Sequence, residues 1–156
     1  MSNFKSLLTK PQLLSKSAVV MVLLLGLVGF ADAVYLTVKH YVGGPVPCAI
    51  VKGCDTVLTS RYAILWGWPV SLYGAIFYLV VVVGVIGYLD NKKIFWLNWL
   101  RSLAVAGFLV TLWLVYVQAF LLKDFCLYCL ISATSALVIF FRVKPWLLLL
   151  RRRVLE

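Results

Sequence analysis

Charged side chains are scarce in this sequence. Only 13% of its 156 residues are Asp, Glu, Lys or Arg, whereas about a quarter is usual in soluble domains. The apolar fraction is 64%, well above the roughly half that soluble proteins contain. This composition excludes an ordinary soluble domain and indicates an integral membrane protein, in which four or five helices of about 20 residues would use the whole chain.

Acidic residues and histidine are scarcer still. The chain has five acidic residues and one histidine against 15 Lys and Arg, which gives a formal net charge of +10. His40 stands alone, without a carboxylate motif, and so does not indicate a metal site. The basic residues lie between and beyond apolar runs and form no stripe with exposed aromatics. Membrane topology therefore explains them better than nucleic acid binding does.

Four long apolar runs organise the chain, and none alternates strictly between apolar and polar residues as a barrel strand does. They cover residues 17–40, 69–89, 97–122 and 126–143. Each is close to the length at which a helix spans a membrane. We therefore predict an all-α integral membrane protein, a bundle of four transmembrane helices that forms a single domain over residues 1–156.

The break between the first two runs, residues 41–67, is rich in glycine and proline, which form turns and end helices. Apolar residues recur within it at helical spacing, at Val57, Leu58, Tyr62 and Leu65. This spacing predicts a short amphipathic helix at the membrane surface. We expect the loop to be a structured cap over the bundle.

Basic residues are divided unevenly between the two sides of the predicted bundle. Because four spans place both termini on one side, that side carries eleven basic residues: Lys5, Lys10, Lys16, Lys92, Lys93, Arg101, Arg142, Lys144, Arg151, Arg152 and Arg153. The other side carries four: Lys39, Lys52, Arg61 and Lys123. Loops on the cytoplasmic side carry the excess of Lys and Arg, so we predict a cell-membrane protein with cytoplasmic termini and an extracytoplasmic cap loop.

The first run also has some features of a cleaved signal peptide. A Lys-rich start and an apolar stretch precede the sequence Ala31-Asp32-Ala33, which resembles a cleavage site. The apolar stretch is long for a signal core, and we therefore favour a transmembrane helix.

The four cysteines form two close pairs, each beside an apolar run. Cys48 and Cys54 lie in the cap loop, and Cys126 and Cys129 form a C-x-x-C at the start of the fourth run. The predicted topology places both pairs on the extracytoplasmic face, where disulfides are permitted. Two thiol pairs at one membrane face have the layout of an electron relay.

The C-x-x-C has the spacing of a redox-active pair. Residues three apart share one face of a helix and can close a short disulfide. We expect Asp124 to be the N-cap of the fourth helix, which would put Cys126 in the first turn, where the helix dipole stabilises a thiolate. The loop pair is separated by five residues that include Gly53, a spacing that a turn can bridge and flexible flanks can open.

Two other interpretations of the cysteines stay open at this point. Four thiols can form two structural disulfides in extracytoplasmic loops, or they can hold a zinc ion, since C-x5-C and C-x2-C are near zinc spacings. Against zinc, one pair begins a membrane helix. Against structural disulfides, a bridge between residues three apart adds little loop-closure stabilisation, whereas that spacing suits redox cycling.

Four segments around these cysteines resemble the vitamin K epoxide reductase (VKOR) family in its stand-alone bacterial and archaeal form. They are Cys48, Cys54-Asp-Thr-Val-Leu-Thr-Ser-Arg, Ser71-Leu-Tyr-Gly-Ala-Ile-Phe-Tyr and Asp124-Phe-Cys-Leu-Tyr-Cys. The match runs from about Asp32 to Phe140, and this ordered combination is more specific than a C-x-x-C alone. The resemblance implies a four-helix bundle that encloses a quinone beneath the cap loop, without the fused thioredoxin-like domain of some bacterial members.

The resemblance also implies roles for the cysteines. Cys129 would donate electrons to the quinone, and Cys126 would be the resolving cysteine of the pair. Cys48 would attack Cys126, and Cys54 would meet a separate extracytoplasmic thioredoxin-fold partner similar to DsbA. The implied activity is that of a thiol:quinone oxidoreductase that supports disulfide-bond formation, with a ubiquinone or menaquinone as acceptor and no metal.

Six further residues are candidates for the quinone pocket. Ser60 matches the family's serine six residues after the second loop cysteine, and Arg61 beside it is a candidate for anchoring the loop. The others, which could reach a ring near Cys129, are Phe77, Tyr116, Gln118 and Tyr128. Side chains of these types more commonly have other roles. They cap helices, pack against neighbours, lie at the membrane interface or form hydrogen bonds between helices.

One acidic residue, Asp32, falls within a predicted span. It lies close to the outer end of the first run, where we expect it to cap the helix or to pair with another side chain rather than to relay protons.

Two positions depart from the vitamin K enzymes of the family. Their asparagine on the second helix falls at Val70, and their tyrosine four residues after the C-x-x-C falls at Ala133. The loss of both polar anchors favours plain quinone reduction over epoxide reduction. A DsbB-type oxidoreductase is an alternative, although there the C-x-x-C precedes the long loop pair. A non-enzymatic four-span scaffold with disulfide-locked loops is another.

Overall fold

The computed structural model describes residues 14–44, 46 and 53–145, and most of these residues are helical. The α-helices are α1 (Lys16–Val42), α2 (Cys54–Thr59), α3 (Val70–Asn91), α4 (Ile94–Tyr116) and α5 (Leu127–Val143). A 3-10 turn (Arg61–Ala63) follows α2, and β1 (Ile64–Leu65) pairs antiparallel with β2 (Trp68–Pro69). A π-helical segment (Val117–Leu122) continues α4.

Three helical segments are long and apolar enough to cross a membrane. They are α1, α3 and the continuous segment Ile94–Leu122, whereas α5 has 17 residues. Large apolar side chains cover their outward faces as well as their inward ones, and Leu24, Ile86 and Leu109 are examples of exposed residues. Helices that are apolar all round belong in a lipid environment or a large core. These helices therefore make the chain a membrane protein.

The four long helices form a closed antiparallel bundle. α1 and α4 each pack against both α3 and α5. The N–H of Leu14, just before α1, donates to the hydroxyl of Tyr88 near the end of α3 at 3.2 Å, and Nε of Arg101 in α4 donates to the carbonyl of Val143 at the end of α5 at 3.2 Å. When the π-helical continuation of α4 is included, the ends of these helices differ from the predicted apolar runs by no more than about one helical turn.

Tyr78 ties three helices together at the centre of the bundle. It projects from α3, is 2% exposed, and donates its hydroxyl to the carbonyl of Ser132 on α5 at 2.7 Å. Its ring also lies against Gly29 of α1, where an added Cβ would overlap the ring. A glycine at this position therefore lets α1 approach the ring closely, which joins α1, α3 and α5.

The amphipathic helix predicted in the cap loop is shorter than expected. α2 ends at Thr59, and the next residue, Ser60, is extended with φ −66° and ψ 157°. The Ser60 hydroxyl donates to the carbonyl of Val57 at 2.8 Å. Serine side chains that bond nearby backbone groups compete with helix continuation, which explains why the helix stops here. Val57 is buried, as an inward apolar position should be.

The expected helical position Leu65 lies instead in a β-hairpin. The turn between the strands consists of Trp66 with φ 50° and Gly67 with φ 83°. Two left-handed residues are what a tight two-residue hairpin turn needs. The strand conformation leaves Leu65 exposed, so the helical apolar stripe ends before this residue.

Candidate functional site

Cys54 and Cys126 lie in the same apolar cluster. Cys54 is 1% exposed and Cys126 is 0% exposed, and both belong to the cluster that includes Leu36 and Val57. Gly53, next to Cys54, lies directly against the segment before α5. An added Cβ there would come within 2.8 Å of Cβ of Asp124 and within 2.9 Å of the backbone of Phe125. The loop that carries Cys54 is therefore packed against the approach to the C-x-x-C.

The cysteines differ in redox state. Cys54 is disulfide-bonded, whereas Cys126 and Cys129 are free thiols. Cys48 lies outside the described residues. A disulfide beside a free dithiol supplies the two reactants that thiol–disulfide exchange requires, since a thiolate attacks a disulfide sulfur in each step.

The prediction that Asp124 is the N-cap of the last helix is wrong. α5 begins at Leu127, and the N-cap is Cys126 itself, with φ −99° and ψ 123°. Asp124 lies in the turn between Lys123, whose φ of 55° ends the preceding helix, and this cap. Cys126 takes the capping position, where the nearby backbone N–H groups of Cys129 and Tyr128 help to lower the pKa of its thiol.

This capping position favours the thiolate of Cys126. A hydrogen bond from the Cys129 thiol is the main cause that lowers the pKa of Cys126 from its ordinary 9.0 to about 7. Burial opposes this effect, and the backbone N–H groups of Cys129 and Tyr128 add to it. Donors aimed at a sulfur at a helix start stabilise its anion. Cys126 is therefore the thiol that ionises first.

The alkylation rate of Cys126 in the reduced protein should rise through about pH 7, because only the thiolate reacts. Cys129→Ala removes the strongest donor, and the midpoint should move towards 9.0. Peptide-resolved mass spectrometry after timed alkylation measures both midpoints, and reagent access to the buried thiol affects all pH values alike. A wild-type midpoint near 9 would contradict this assignment.

Gln118 holds the backbone of Cys126. Its Oε1 accepts the Cys126 N–H at 3.0 Å, and the side chain is 3% exposed. Gln118 lies in the π-helical segment Val117–Leu122, and π segments are frequent at functional sites. This contact is a hydrogen bond between helical segments. Such a bond is the common role of a polar side chain in an apolar run, and it was the alternative to quinone binding for Gln118.

Replacing Gln118 with leucine should lower the free energy of unfolding by about 1–3 kcal/mol, because the buried N–H of Cys126 loses its acceptor. Gln118→Glu keeps an acceptor oxygen and should lose less at a pH where its carboxyl is protonated, since a buried carboxylate would be costly. Denaturant titration of the detergent-solubilised protein measures both. A Gln118→Leu protein as stable as wild type would show that this hydrogen bond contributes nothing.

A partly open cavity of about 120 Å³ lies between the cap and the long helices, and Cys129 is part of its wall. Most of the wall is apolar, with contributions from Leu36, Leu114 and Val115. Polar groups are few and come from several elements: Asp32, Ser60, Tyr62, Ser71, Thr111, Gln118 and Ser132. An apolar cavity with a few convergent polar groups is the usual form of a small-molecule site.

Two of the six predicted pocket residues, Ser60 and Gln118, line this cavity. The other four lie outside its lining. Arg61 is exposed in the 3-10 turn. Phe77 packs against Gly107, where an added Cβ would overlap its ring.

The remaining two candidates make aromatic contacts. Tyr116 is exposed and stacks on Trp113 and Phe120, with ring centroids at 6.0 and 5.0 Å. Tyr128 pairs with Tyr35 at 5.3 Å between ring centroids.

Three polar lining residues on the long helices had no role predicted from the sequence: Ser71, Thr111 and Ser132. Each lies in a helix that is apolar on all sides, so periodicity does not reveal which face turns inward. Ser71 also accepts a hydrogen bond from the Thr37 hydroxyl at 3.0 Å. Hydropathy contains no signal that would have singled out these residues, and the motif segment that begins at Ser71 does not assign this serine to a pocket.

Asp32 occupies a different environment from the one predicted. It lies within α1, lines the cavity, and has a buried Oδ2 without a hydrogen-bond partner. The expected cap or pair is therefore absent at this oxygen, because the side chain projects from the body of the helix into the cavity wall. Among residues 14–44, 46 and 53–145, no three His, Cys, Asp or Glu side chains are grouped to hold a metal ion.

Comparison with known families adds one finding. The model of the vitamin K epoxide reductase family matches residues 20–143, which include most of α1, the other long helices, the cap and all four cysteines. No curated protein matches the chain significantly.

Proposed function

The chain belongs to the vitamin K epoxide reductase family, and we propose that it oxidises a thioredoxin-fold protein outside the membrane and passes the electrons to a membrane quinone. The family generally has quinone-linked thiol oxidoreductase activity in membranes.

The position of the C-x-x-C between two environments carries the proposal. Cys129 lines the cavity, while Cys126 lies in the apolar cluster that contains Cys54. One thiol of the pair is thus placed towards a small-molecule site and the other towards the loop cysteine. This arrangement suits a pair that receives electrons on one side and donates them on the other.

The cavity fits a quinone in chemical character. Its wall is mostly apolar, as a ring with an isoprenoid tail requires. The Ser71 hydroxyl, which accepts a hydrogen bond from Thr37, can donate its own proton to a quinone oxygen. A quinone supplies the chemistry of accepting two electrons and two protons. Val70 and Ala133, where vitamin K enzymes carry Asn and Tyr, both line the cavity. These apolar side chains favour plain quinone reduction.

Electrons would travel through a series of disulfide exchanges, each of which breaks one S–S bond and forms another. A thiolate of the partner attacks Cys54 in its disulfide with Cys48, which releases the Cys48 thiolate. Cys48 then attacks Cys126 in the oxidised C-x-x-C and releases Cys129. The partner's second thiolate attacks the partner's own sulfur in the mixed disulfide, which releases the oxidised partner and the Cys54 thiolate. Cys54 then attacks Cys48, which closes the loop disulfide and releases Cys126. The Cys126–Cys129 dithiol gives its two electrons to the quinone and becomes a disulfide again.

The partner would approach from the extracytoplasmic side. The cap elements lie at the same end of the bundle as the C-x-x-C, while Lys92 and Lys93 connect α3 to α4 at the opposite end. This polarity agrees with the distribution of basic residues, which favours cytoplasmic termini. A DsbA-like thioredoxin-fold protein of that compartment is the proposed electron donor.

A coupled assay tests the proposal. Purified protein is mixed with a reduced thioredoxin-fold donor and a soluble ubiquinone or menaquinone analogue, and the quinone absorbance is followed. We expect continuous quinone reduction that stops when the protein's thiols are blocked beforehand. A disulfide-stapled scaffold would leave both reactants unchanged, and that result would reject the oxidoreductase function.

A further inference from the structure

Asp32 is the one carboxyl group in the cavity wall among the residues that the structure describes. The described lining includes no Lys, Arg or His. The buried Oδ2 also lacks a hydrogen-bond donor. Neither an ion pair within this lining nor a hydrogen bond to Oδ2 accounts for an acidic side chain in this part of α1.

A carboxylate in such a place is costly. An ionised group that is buried without partners loses its hydration and gains little in return, and acidic residues within membrane helices are usually functional for this reason. The cost is avoided when the carboxyl carries a proton. An acid that alternates between the two states is suited to exchanging protons with a molecule in the cavity.

The groups around Asp32 narrow the choice of proton donor. Asp32 interacts electrostatically with Cys126, Cys129, Tyr78 and Tyr128. Tyr62 of the 3-10 turn also lines the cavity, and α4 contributes the neutral Thr111 and Gln118. Tyrosine hydroxyls ordinarily keep their proton near neutral pH. The carboxyl and the two thiols are therefore the groups that can exchange protons there.

The proposed quinone reduction needs one proton more than the cysteine pair holds. With Cys126 as a thiolate and Cys129 as a thiol, formation of their disulfide releases two electrons and one proton. A quinone takes up two electrons and two protons to become a quinol. One proton must come from another group, and the overall step is quinone + thiolate–thiol pair + carboxylic acid → quinol + disulfide + carboxylate.

We propose that Asp32 is the acid that delivers this second proton to the quinone in the cavity, and that it regains a proton through the open side of the cavity between turnovers. The inference rests on the proposed function, because it requires a quinone as the acceptor. It assigns Asp32 a catalytic role that is distinct from holding the helix or the cap.

Asp32→Asn tests the role with little change in size. The variant is reduced in advance and mixed with a quinone analogue, and a single turnover is followed at several pH values. We expect its rate constant to fall about 10²-fold, the lower end of what general acids contribute, while the quinone concentration for half-saturation stays similar. Reduction of the oxidised variant by a small dithiol should be unchanged. Asp90→Asn, the same change at an exposed residue of α3, should behave as wild type.

The pH profile and the infrared spectrum distinguish proton delivery by Asp32 from a purely structural role, because a structural role would change neither of them. The wild-type rate should decline at high pH as Asp32 loses its proton, and Asp32→Asn should lack this decline. Infrared difference spectra of the wild type should show loss of a protonated carboxyl band as quinone is reduced, and this band should be absent in Asp32→Asn. Asp32→Glu, which keeps an acid, should recover part of the rate and the high-pH decline.

Three outcomes would overturn the inference while leaving the proposed function intact: an undiminished rate in Asp32→Asn, a loss confined to quinone affinity, or no carboxyl signal during wild-type turnover. If Asp32→Asn does not fold, the wild-type infrared signal and the Asp32→Glu profile decide the question. If wild type itself reduces no quinone, the proposed function fails and this inference fails with it.

Discussion

Cys129→Ala should abolish quinone reduction, with turnover lowered about 10³-fold or more, as expected when an essential nucleophile is removed. Cys129 is the cysteine in the cavity wall, so its removal takes away the proposed electron donor to the quinone. Cys126 remains able to react with the loop disulfide. The variant should therefore accumulate a mixed disulfide between Cys126 and a loop cysteine, because Cys129, the thiol that would close a disulfide with Cys126, is missing.

The quinone absorbance measures the first effect, and mass spectrometry of peptides with blocked thiols identifies the second. Thr134→Ala changes an exposed residue on the same helix and should leave both unchanged. Substantial quinone reduction by Cys129→Ala would show that electrons leave the protein from another group.

Gly53→Ala should uncouple the loop from the C-x-x-C. The backbone of Gly53, with φ −86° and ψ 5°, is open to alanine, so the effect is steric. The new Cβ would lie 2.8 Å from Cβ of Asp124 and 2.9 Å from the N and O atoms of Phe125. Backbone atoms cannot rotate away as a flexible side chain can, and the loop must therefore move. A displacement of about 1 Å between reacting groups can lower a rate about 10²-fold.

The effect of Gly53→Ala should be confined to one half of the reaction. Oxidation of the thioredoxin-fold donor should slow about 10²-fold, whereas single-turnover quinone reduction by the pre-reduced variant should stay near the wild-type rate. Thr56→Ala, at an exposed position of α2, is the matched control. If both half-reactions slow equally, the substitution acts on the whole fold and not on the contact between loop and C-x-x-C.

Hydropathy predicted an all-α membrane protein, which is confirmed by three helical segments that are long and apolar enough to cross a membrane. The four apolar runs correspond to α1, α3, α4 with its π-helical continuation, and α5. They were readable because a membrane helix needs a long continuous apolar segment, which is a strong one-dimensional signal. The ordered motifs around the cysteines predicted the family, which the match over residues 20–143 confirms.

Local structure at the site was harder to predict, because it depends on competition between nearby groups. Asp124 is a good N-cap residue by type, yet Cys126 takes that position. The Cys126 N–H is held by Gln118, eight residues earlier, through a π-helical segment that the sequence does not reveal. In the cap, apolar spacing predicted a helix as far as Leu65. The structure ends that helix earlier, because the Ser60 hydroxyl bonds the backbone and a hairpin turn forms at Gly67.

The residues that line the cavity could not be predicted from the sequence, for a different reason. Helices that are apolar on every side do not show which face meets their neighbours. Aromatic residues such as Tyr116 and Phe77 were therefore plausible pocket residues, although they lie elsewhere. Asp32 was visible in the sequence as an acid within a span, but its unpartnered oxygen and its place in the same cavity wall as Cys129 emerge only in three dimensions.

The most direct test of the proposed relay is an anaerobic single turnover with stoichiometry. Fully reduced protein is mixed with excess quinone analogue, the quinol formed is measured by absorbance, and the disulfides are identified by mass spectrometry at the earliest times. The relay predicts one equivalent of quinol for each Cys126–Cys129 disulfide, formed before any disulfide of Cys54. Quinol formation without that disulfide, or a loop disulfide that forms first, would contradict it.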